Sequence, residues 1–356
     1  MKKVVLMMIF IVGIIVSVSV VWAEAVGDVN GDGVVGMPEA ISALQVSTGT
    51  RSALSTNIPT YNFSEYFNID GAEYLYHEVW TSKSNDGTYN SSESDYFVKT
   101  TTESTGEQIT YVQDWGDWVY YFSVINSVIV KIKEENFYQN PPTITTYSPP
   151  YAIGSTQMKV GDAFTTAFAT NNSNPPVIRE YTFLGLEDVA TPAGTFQGCL
   201  KIRRVRSDRS GISLYYYAKN VGVVKEIYCY EDNGGIYELT AANIDGTTYG
   251  GELTSCTGTF TDSSTQATGH FRLGYVYAGT KYEGHLTVFS SPYSEQYDIT
   301  SQDGITFTCP YPDPNFPGSF GSLTIQNGII SGTVDGWDQG VQYILNGTCG
   351  TDKQNK

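Results

Sequence analysis

The chain has 356 residues, of which 20 are basic and 37 acidic, so its formal net charge is −17. This acidity disfavours partners such as nucleic acid or an anionic membrane surface. Charged residues make up only 16% of the chain, while 27 Tyr and 36 Gly are present, and this composition favours β-strands over helices.

The first 23 residues have the pattern of a secretory signal peptide. Lys2 and Lys3 precede an uncharged apolar run at residues 4–22, and small residues follow it. We predict cleavage after Ala23 or Ala25, with an uncleaved membrane anchor as the alternative. The protein is therefore expected to be exported, to the periplasm, the cell surface or the medium, with no membrane span in the mature chain.

Residues 24–50 predict a calcium-binding loop followed by a helix. The stretch GDVNGDGVVGMPEA places oxygen ligands at alternate positions, a glycine at the sixth position and a glutamate at the twelfth, as in an EF-hand loop. The predicted Ca²⁺ ligands are Asp28, Asn30, Asp32, the carbonyl of Val34, and Glu39. A turn of Asp, Asn and Gly that binds nothing is the alternative, although it does not explain the glutamate.

The helix after this loop has one narrow apolar face formed by Met37, Ile41 and Leu44. Loop and helix together resemble one repeat of a type I dockerin over residues 27–49. The resemblance implies calcium ligation by the five residues above and a docking role for the helix. Dockerins carry two repeats and close the loop with Asp, whereas this chain shows one repeat and closes it with Glu39.

Residues 51–64 are predicted to be a linker, and residues 65–249 an antiparallel β domain. Segments such as EYLYHEVWTS, EQITYVQD and DWVYYFSVI alternate apolar and polar residues between turn-rich pieces. The proline-rich stretch QNPPTITTYSPPY should interrupt the sheet or lie at its edge.

This β domain resembles a family of exported bacterial β-domains of unknown function. The resemblance spans about residues 65–245 and depends on three motifs: VGD at residues 160–162, PAGTFQGCLKI at residues 192–202, and YYAKNVGVVK at residues 216–225. It implies a curved antiparallel sheet, similar to the half-barrels of periplasmic lipoprotein carriers, and implies no reaction.

Two clusters inside this domain suggest chemistry. Five cations occur within nine residues: Lys201, Arg203, Arg204, Arg206 and Arg209. They form either an anion or acidic-glycan site, or cross-strand ion pairs with Glu226, Glu231 or Glu238, and we favour the ion pairs. In QDWGDW, Asp114 and Asp117 alternate with Trp115 and Trp118, a mixture that can line a sugar groove if the Trp rings are exposed.

Residues 250–349 are predicted to form a β-sandwich, because short strands alternate with Gly-, Asp- and Asn-rich turns, and residues 350–356 form a tail. Five cysteines fit an exported protein with structural disulfides. We predict pairing within each region, Cys199 with Cys229 and Cys256 with Cys349.

The sequence contains no nucleophile elbow, HExxH motif or phosphate loop. His270 and His285 could face each other on adjacent strands, but a third convergent zinc ligand is not evident. We therefore predict an exported, calcium-binding adhesion or docking module without catalysis, which binds an unknown protein or glycan partner. The alternatives are a carbohydrate-active protein, either glycan-binding or glycosidase-type, and a periplasmic carrier of apolar ligands.

Overall fold

The computed structural model describes residues 59–350, except for residues 68, 85–86, 106–107, 138–141, 169–176, 208–210, 291–292, 311–318 and 337–340. The predicted signal peptide, the calcium loop–helix, most of the linker and the tail beyond residue 350 lie outside this part. Within it, all regular structure is β-strand except one short 3-10 helix, Phe63–Tyr66, which confirms the mainly β prediction. None of the described helices is long and apolar enough to span a membrane.

The first unit is a 13-stranded antiparallel sheet. Its strands are β1 Glu73–Lys83, β2 Tyr89–Thr105, β3 Gln108–Asp114, β4 Trp118–Ile125, β5 Val128–Asn136, β6 Thr143–Ser155, β7 Ala163–Phe168, β8 Val177–Thr191, β9 Gly194–Arg206, β10 Gly211–Ala218, β11 Gly222–Tyr230, β12 Asn233–Ile244 and β13 Thr247–Tyr249. The hydrogen-bonded order is β6-β5-β4-β3-β2-β1-β12-β11-β10-β9-β8-β7, with β13 beside β12.

This sheet curls until its two ends approach each other. Tyr151 on β6 and Arg179 on β8 stand near opposite ends of the strand order, yet the Arg179 guanidinium donates a 2.8 Å hydrogen bond to the Tyr151 hydroxyl. The predicted proline-rich edge segment is β6, where the register with β5 jumps from Lys131↔Tyr151 to Lys133↔Thr146. We call the side enclosed by this curvature the inner face.

One end of the inner face is filled by apolar side chains around the 3-10 helix. Phe63 is completely buried, and its ring packs edge-on against Tyr217 of β10 at 4.8 Å between centroids. Phe67 contacts Phe122 of β4 in the same manner at 4.9 Å. Gly154 must be glycine, because an added Cβ would lie 1.9 Å from the Phe63 ring. Apolar packing therefore occupies this end, and the other end has different chemistry.

The second unit is a closed eight-stranded barrel rather than the predicted β-sandwich. Its strands are β14 Thr254–Asp262, β15 Thr268–Tyr277, β16 Tyr282–Ser290, β17 Tyr293–Ser301, β18 Thr306–Pro310, β19 Ser319–Gln326, β20 Ile329–Asp335 and β21 Gln342–Gly350. The sandwich prediction is wrong because β14 pairs with β21 from Ser255↔Gly350 to Asp262↔Tyr343, which joins the first strand to the last. Alternation has the same period of two in a sandwich and in a barrel, so the pattern alone did not distinguish them.

One of the two predicted disulfides is confirmed. Cys256 and Cys349 are directly opposed on β14 and β21 and are bonded. The Cys199–Cys229 prediction is wrong, since both residues are free thiols. Cys199 is on β9 and Cys229 is on β11, with β10 between these two strands. The register puts Cys229 level with Val205 of β9. Val205 is six residues from Cys199, which is about 20 Å along the strand.

Candidate binding site on the inner face of the sheet

The end of the inner face away from the 3-10 helix is lined by tyrosines. Cross-strand neighbours share a face, so the register aligns Glu78, Tyr237, Glu226 and Tyr215 in one row across β1, β12, β11 and β10. Strand alternation adds further rings to the same face. The tyrosines at this end include Tyr96, Tyr228, Tyr230 and Tyr237. Further inner tyrosines continue from here into the apolar cluster around Phe63 and Phe67, namely Tyr120, Tyr147, Tyr151, Tyr181 and Tyr215.

A buried lysine lies among these rings. The Lys131 side chain is only 7% exposed and donates to the Glu134 carboxylate. Its Nζ lies 3.9 Å from the centroid of the Tyr120 ring, a cation–π contact. Burial lowers the pKa of Lys131 to about 8, and the attraction of Glu134 opposes this shift. The charge of Lys131 is therefore neutralised by a carboxylate and covered by an aromatic ring.

A second cation has the same kind of environment. Arg204 donates to the Ser213 hydroxyl at 3.0 Å and the Tyr230 hydroxyl at 2.9 Å, and it lies 3.6 Å from the Glu226 carboxylate. Its guanidinium carbon is 4.9 Å from the centroid of the Tyr215 ring. Burial raises the pKa of Glu226, while the neighbouring Arg204 opposes the rise. We call Lys131, Glu134, Arg179, Arg204 and Glu226 the charged cluster.

Glu78 is a third inner carboxylate, held by tyrosine hydroxyls. It is 4% exposed and accepts from Tyr228 at 2.7 Å and from Tyr96 at 3.1 Å. It shares a row with Glu226, with Tyr237 between them. Two strand spacings put the Cα atoms of the two glutamates about 10 Å apart.

The buried polar atoms on this face that have no hydrogen-bond partner among the described residues include Trp115 Nε1, Arg204 Nε and Asn233 Oδ1. The Trp115 ring stacks on the inner-face Tyr76, with a 14° interplanar angle and 5.4 Å between centroids. Asn233 shares the face of Tyr237, since the two lie four residues apart in β12. Two of the three atoms are donors and one is an acceptor.

The run of cations at residues 201–209 is divided between the two faces of β9. Lys201 pairs with Glu187 at 2.7 Å and Arg203 with Glu180 at 3.5 Å, whereas Arg204 points inward to Glu226. For these three residues the cross-strand interpretation is confirmed. Of the predicted partners, Glu226 is correct, while Glu238 pairs instead with Lys225 at 2.6 Å. Arg209 lies outside the described residues.

The QDWGDW segment attaches the sheet to the barrel. Asp114 forms a 2.6 Å ion pair with Arg272 of β15, and the buried Asp117 accepts a hydrogen bond from Ser294 of β17. Trp115 packs against the sheet core, so it is not an exposed sugar platform. Both aspartates have partners in the barrel, which gives them an architectural role.

The same junction covers an open strand edge. Residues 89–98 of β2 pair with β1, whereas the pairing of β2 with β3 begins only at Lys99↔Asp114. At this edge the backbone N–H of Asp95 donates to Asp298 of the barrel at 3.1 Å. The carbonyl of Phe97 accepts from Arg272 at 3.1 Å. The barrel thus satisfies backbone groups that no neighbouring strand of the described part reaches.

The three histidines do not converge on one point of the structure. His285 contacts Asp298 at 3.2 Å, and His77 contacts Asp95 at 2.8 Å. His270 stacks on Phe289 and does not face His285, which is opposite Gly274 on the neighbouring strand. In the described residues no group of three or more His, Cys, Asp or Glu side chains could hold a metal ion. The predicted calcium ligands Asp28, Asn30, Asp32, Val34 and Glu39 lie outside this part, so that site stays a prediction.

Comparisons with known proteins give little. No family model matches the chain, and no curated protein matches it. Among solved structures, a candidate lipoprotein from Parabacteroides distasonis aligns at 13% identity over 49% of this chain and 96% of its own, with a TM-score of 0.26. MucB in complex with MucA(peri) aligns at 6% identity over 79% of this chain and 89% of its own, with a TM-score of 0.21. TM-scores this low establish no shared fold.

Proposed function

We propose that this protein is a binding module and that the tyrosine-lined end of the inner face holds its ligand. The supporting observation is the incomplete burial of this lining: the side chains of Arg204 and Glu226 remain 16% and 20% exposed within a curled sheet. Small barrels of about eight strands are filled by their own side chains, whereas longer sheets that curl leave internal room. Aromatic walls with a few placed polar groups are typical of ligand sites.

We further propose that the protein is exported and that Ca²⁺ binds Asp28, Asn30, Asp32, Glu39 and the carbonyl of Val34. The support is the signal-like N-terminus and the EF-hand spacing. One prediction combines the two sites: the calcium loop–helix docks the protein to a partner, while the inner face binds a ligand separately.

The experiment is capture of culture-fluid and envelope components on immobilised protein lacking residues 1–23, in calcium and in chelator. Three proteins are compared: the wild type, a loop variant with Asp32→Ala and Glu39→Ala, and an inner-face variant with Trp118→Ala. Trp118 is on the inner face because it lies two residues before Tyr120 in β4, and the two rings stack. We expect one component that is lost only with Trp118→Ala and is independent of calcium. We also expect a second component, a partner that is lost only in chelator or with the loop variant. If this second component is the only one captured, the loop and not the inner face carries recognition. If nothing is retained in any arm, the binding proposal is rejected.

A second candidate function is glycoside hydrolysis, which one observation favours. Glu78 and Glu226 lie on one row of the inner face, and burial raises the pKa of Glu226, as a general acid requires. Glu78, however, is nearly inaccessible and already accepts two tyrosine hydrogen bonds. This arrangement fits a carboxylate that organises a binding wall better than one that reacts.

A carrier of apolar ligands is less well supported. The apolar end of the inner face is filled by Phe63 and Phe67, both buried. The other end carries the charged cluster, and an apolar chain placed there would remove charged groups from water without replacing their hydrogen bonds.

A further inference from the structure

We infer that the ligand of the inner face is an uncharged, polyhydroxylated molecule, a neutral oligosaccharide. This inference rests on the proposed function, because it names the class of ligand for the same site. It follows from three properties of the lining: its aromatic surfaces, the state of its charges, and the polar atoms that lack partners.

The aromatic surfaces suit the flat C–H faces of sugar rings. Trp118 and Tyr120 stand two residues apart on β4, with their rings inclined by 25° and centred 6.1 Å apart. Across the face, Tyr237 lies 5.5 Å from Tyr96 and 6.1 Å from Tyr228. Tyrosine and tryptophan combine an apolar ring with a polar tip, so each can contact a ring face and a hydroxyl of the same sugar.

The charges of the face argue against an anionic ligand. Lys131 is bound to Glu134 and covered by Tyr120, and Arg204 is bound to Glu226 and covered by Tyr215. The third cation, Arg179, donates to the Tyr151 hydroxyl and lies over its ring. With Glu78 included, the charged cluster has three carboxylates for its three cations. An incoming carboxylate or phosphate would have to compete with these carboxylates and would also approach Glu78. Like charges in a site of low dielectric repel strongly. A neutral ligand meets no such opposition.

The buried polar atoms without partners require a ligand whose groups both donate and accept hydrogen bonds. Trp115 Nε1 and Arg204 Nε are donors, while Asn233 Oδ1 is an acceptor, and none has a partner in the described part of the chain. A buried polar group left unpaired costs roughly 1 to 3 kcal/mol. A hydroxyl donates one hydrogen bond and accepts two, so an array of hydroxyls can satisfy both kinds.

The test is isothermal titration calorimetry of the whole protein with three neutral probes: cellohexaose, maltohexaose and chitohexaose. Hexagalacturonate and palmitate serve as the anionic and apolar probes. We expect a Kd below about 1 mM for at least one neutral probe, and weaker or no binding of the other two kinds. Binding of only the anionic or the apolar probe overturns the inference, and so does failure of all three neutral probes at about 10 mM.

Variants test whether such binding is on the inner face. Trp118→Ala should weaken a neutral probe about tenfold, and Trp118→Phe, which keeps a ring, should restore most of the affinity. Tyr89→Ala is the matched control, since this β2 side chain is 62% exposed, and it should leave the affinity unchanged. Equal losses in Trp118→Ala and Tyr89→Ala would place the sugar elsewhere and overturn the inference. A component captured from the extract through Trp118, without binding of the neutral probes, would reject only the ligand class.

Discussion

Replacing Arg272 by methionine should loosen the attachment of the barrel to the sheet. The Arg272 side chain is 6% exposed and contacts three oxygens: a carboxylate oxygen of Asp114 at 2.6 Å, the Asp114 carbonyl at 3.0 Å and the Phe97 carbonyl at 3.1 Å. Methionine keeps the apolar stem and removes all three contacts.

The expected loss of unfolding free energy is about 3 kcal/mol. Each carbonyl left without its donor costs about 1 kcal/mol. The Asp114 carboxylate is 36% exposed, so water replaces much of the lost attraction, and we assign about 1 kcal/mol to it. The sum lies at the lower limit of the range for breaking a buried ion pair, about 3 to 5 kcal/mol.

The measurement is urea unfolding followed by tryptophan fluorescence, which reports mainly on the sheet through Trp80, Trp115 and Trp118. Lys201→Met is the matched control, because its 2.7 Å ion pair with Glu187 is on the surface and should contribute less than about 1 kcal/mol. If Arg272→Met loses no more unfolding free energy than Lys201→Met, the reasoning is refuted. The double variant with Asp114→Asn should be little worse than Arg272→Met alone, because the two residues share one interaction.

Three further predictions concern pH and the disulfide. Since burial lowers the pKa of Lys131 from its ordinary 10.5 to about 8, the unfolded chain binds more protons between these values, so stability should rise with pH there. In the Lys131→Met variant the unfolding free energy should rise less steeply with pH, as measured by urea unfolding at a series of pH values. The hydrogen bond to Asp95 raises the pKa of His77. The protonated His77 ring therefore adds to the free energy of unfolding below about pH 6.5, and this stabilisation is lost as pH rises through the raised pKa. His77→Gln should remove this loss, which is under about 1 kcal/mol because the ring is 38% exposed. Replacing Cys256 and Cys349 by serine opens a loop spanning 93 residues. By the loss of loop-closure entropy this should cost about 4.6 kcal/mol of unfolding free energy, measured by denaturant unfolding followed by near-ultraviolet circular dichroism. An unchanged midpoint would show that pairing of β14 with β21 suffices.

The strands were predictable because half-buried antiparallel strands repeat every two residues. Segments such as EYLYHEVW and DWVYYFSV are β1 and β4 in the structure. The Cys256–Cys349 disulfide was also predictable, since the two residues are near the ends of one β unit. Closure of the barrel was not predictable, because it depends on which distant strands pair.

The candidate site was not predictable from the sequence, for the same physical reason. Tyr151 and Arg179 are 28 positions apart, and they meet because the whole sheet curls. The sequence does show that tyrosines recur at alternate positions, but alternation does not indicate which face becomes the inner one. The sequence suggests that Asp114 and Asp117 line a sugar groove. In the structure they bind Arg272 and Ser294 of the barrel, which lie more than 150 residues later in the chain.

The covered edge of β2 has a consequence for synthesis of the chain. The sheet precedes the barrel in sequence, so residues 89–98 are made well before Asp298 and Arg272, which later satisfy their backbone groups. Until then this edge is a template to which a strand of another molecule can add. Because the barrel covers this edge only after it has been made, a chain that ends before Thr254 should aggregate even though every strand of the sheet is complete.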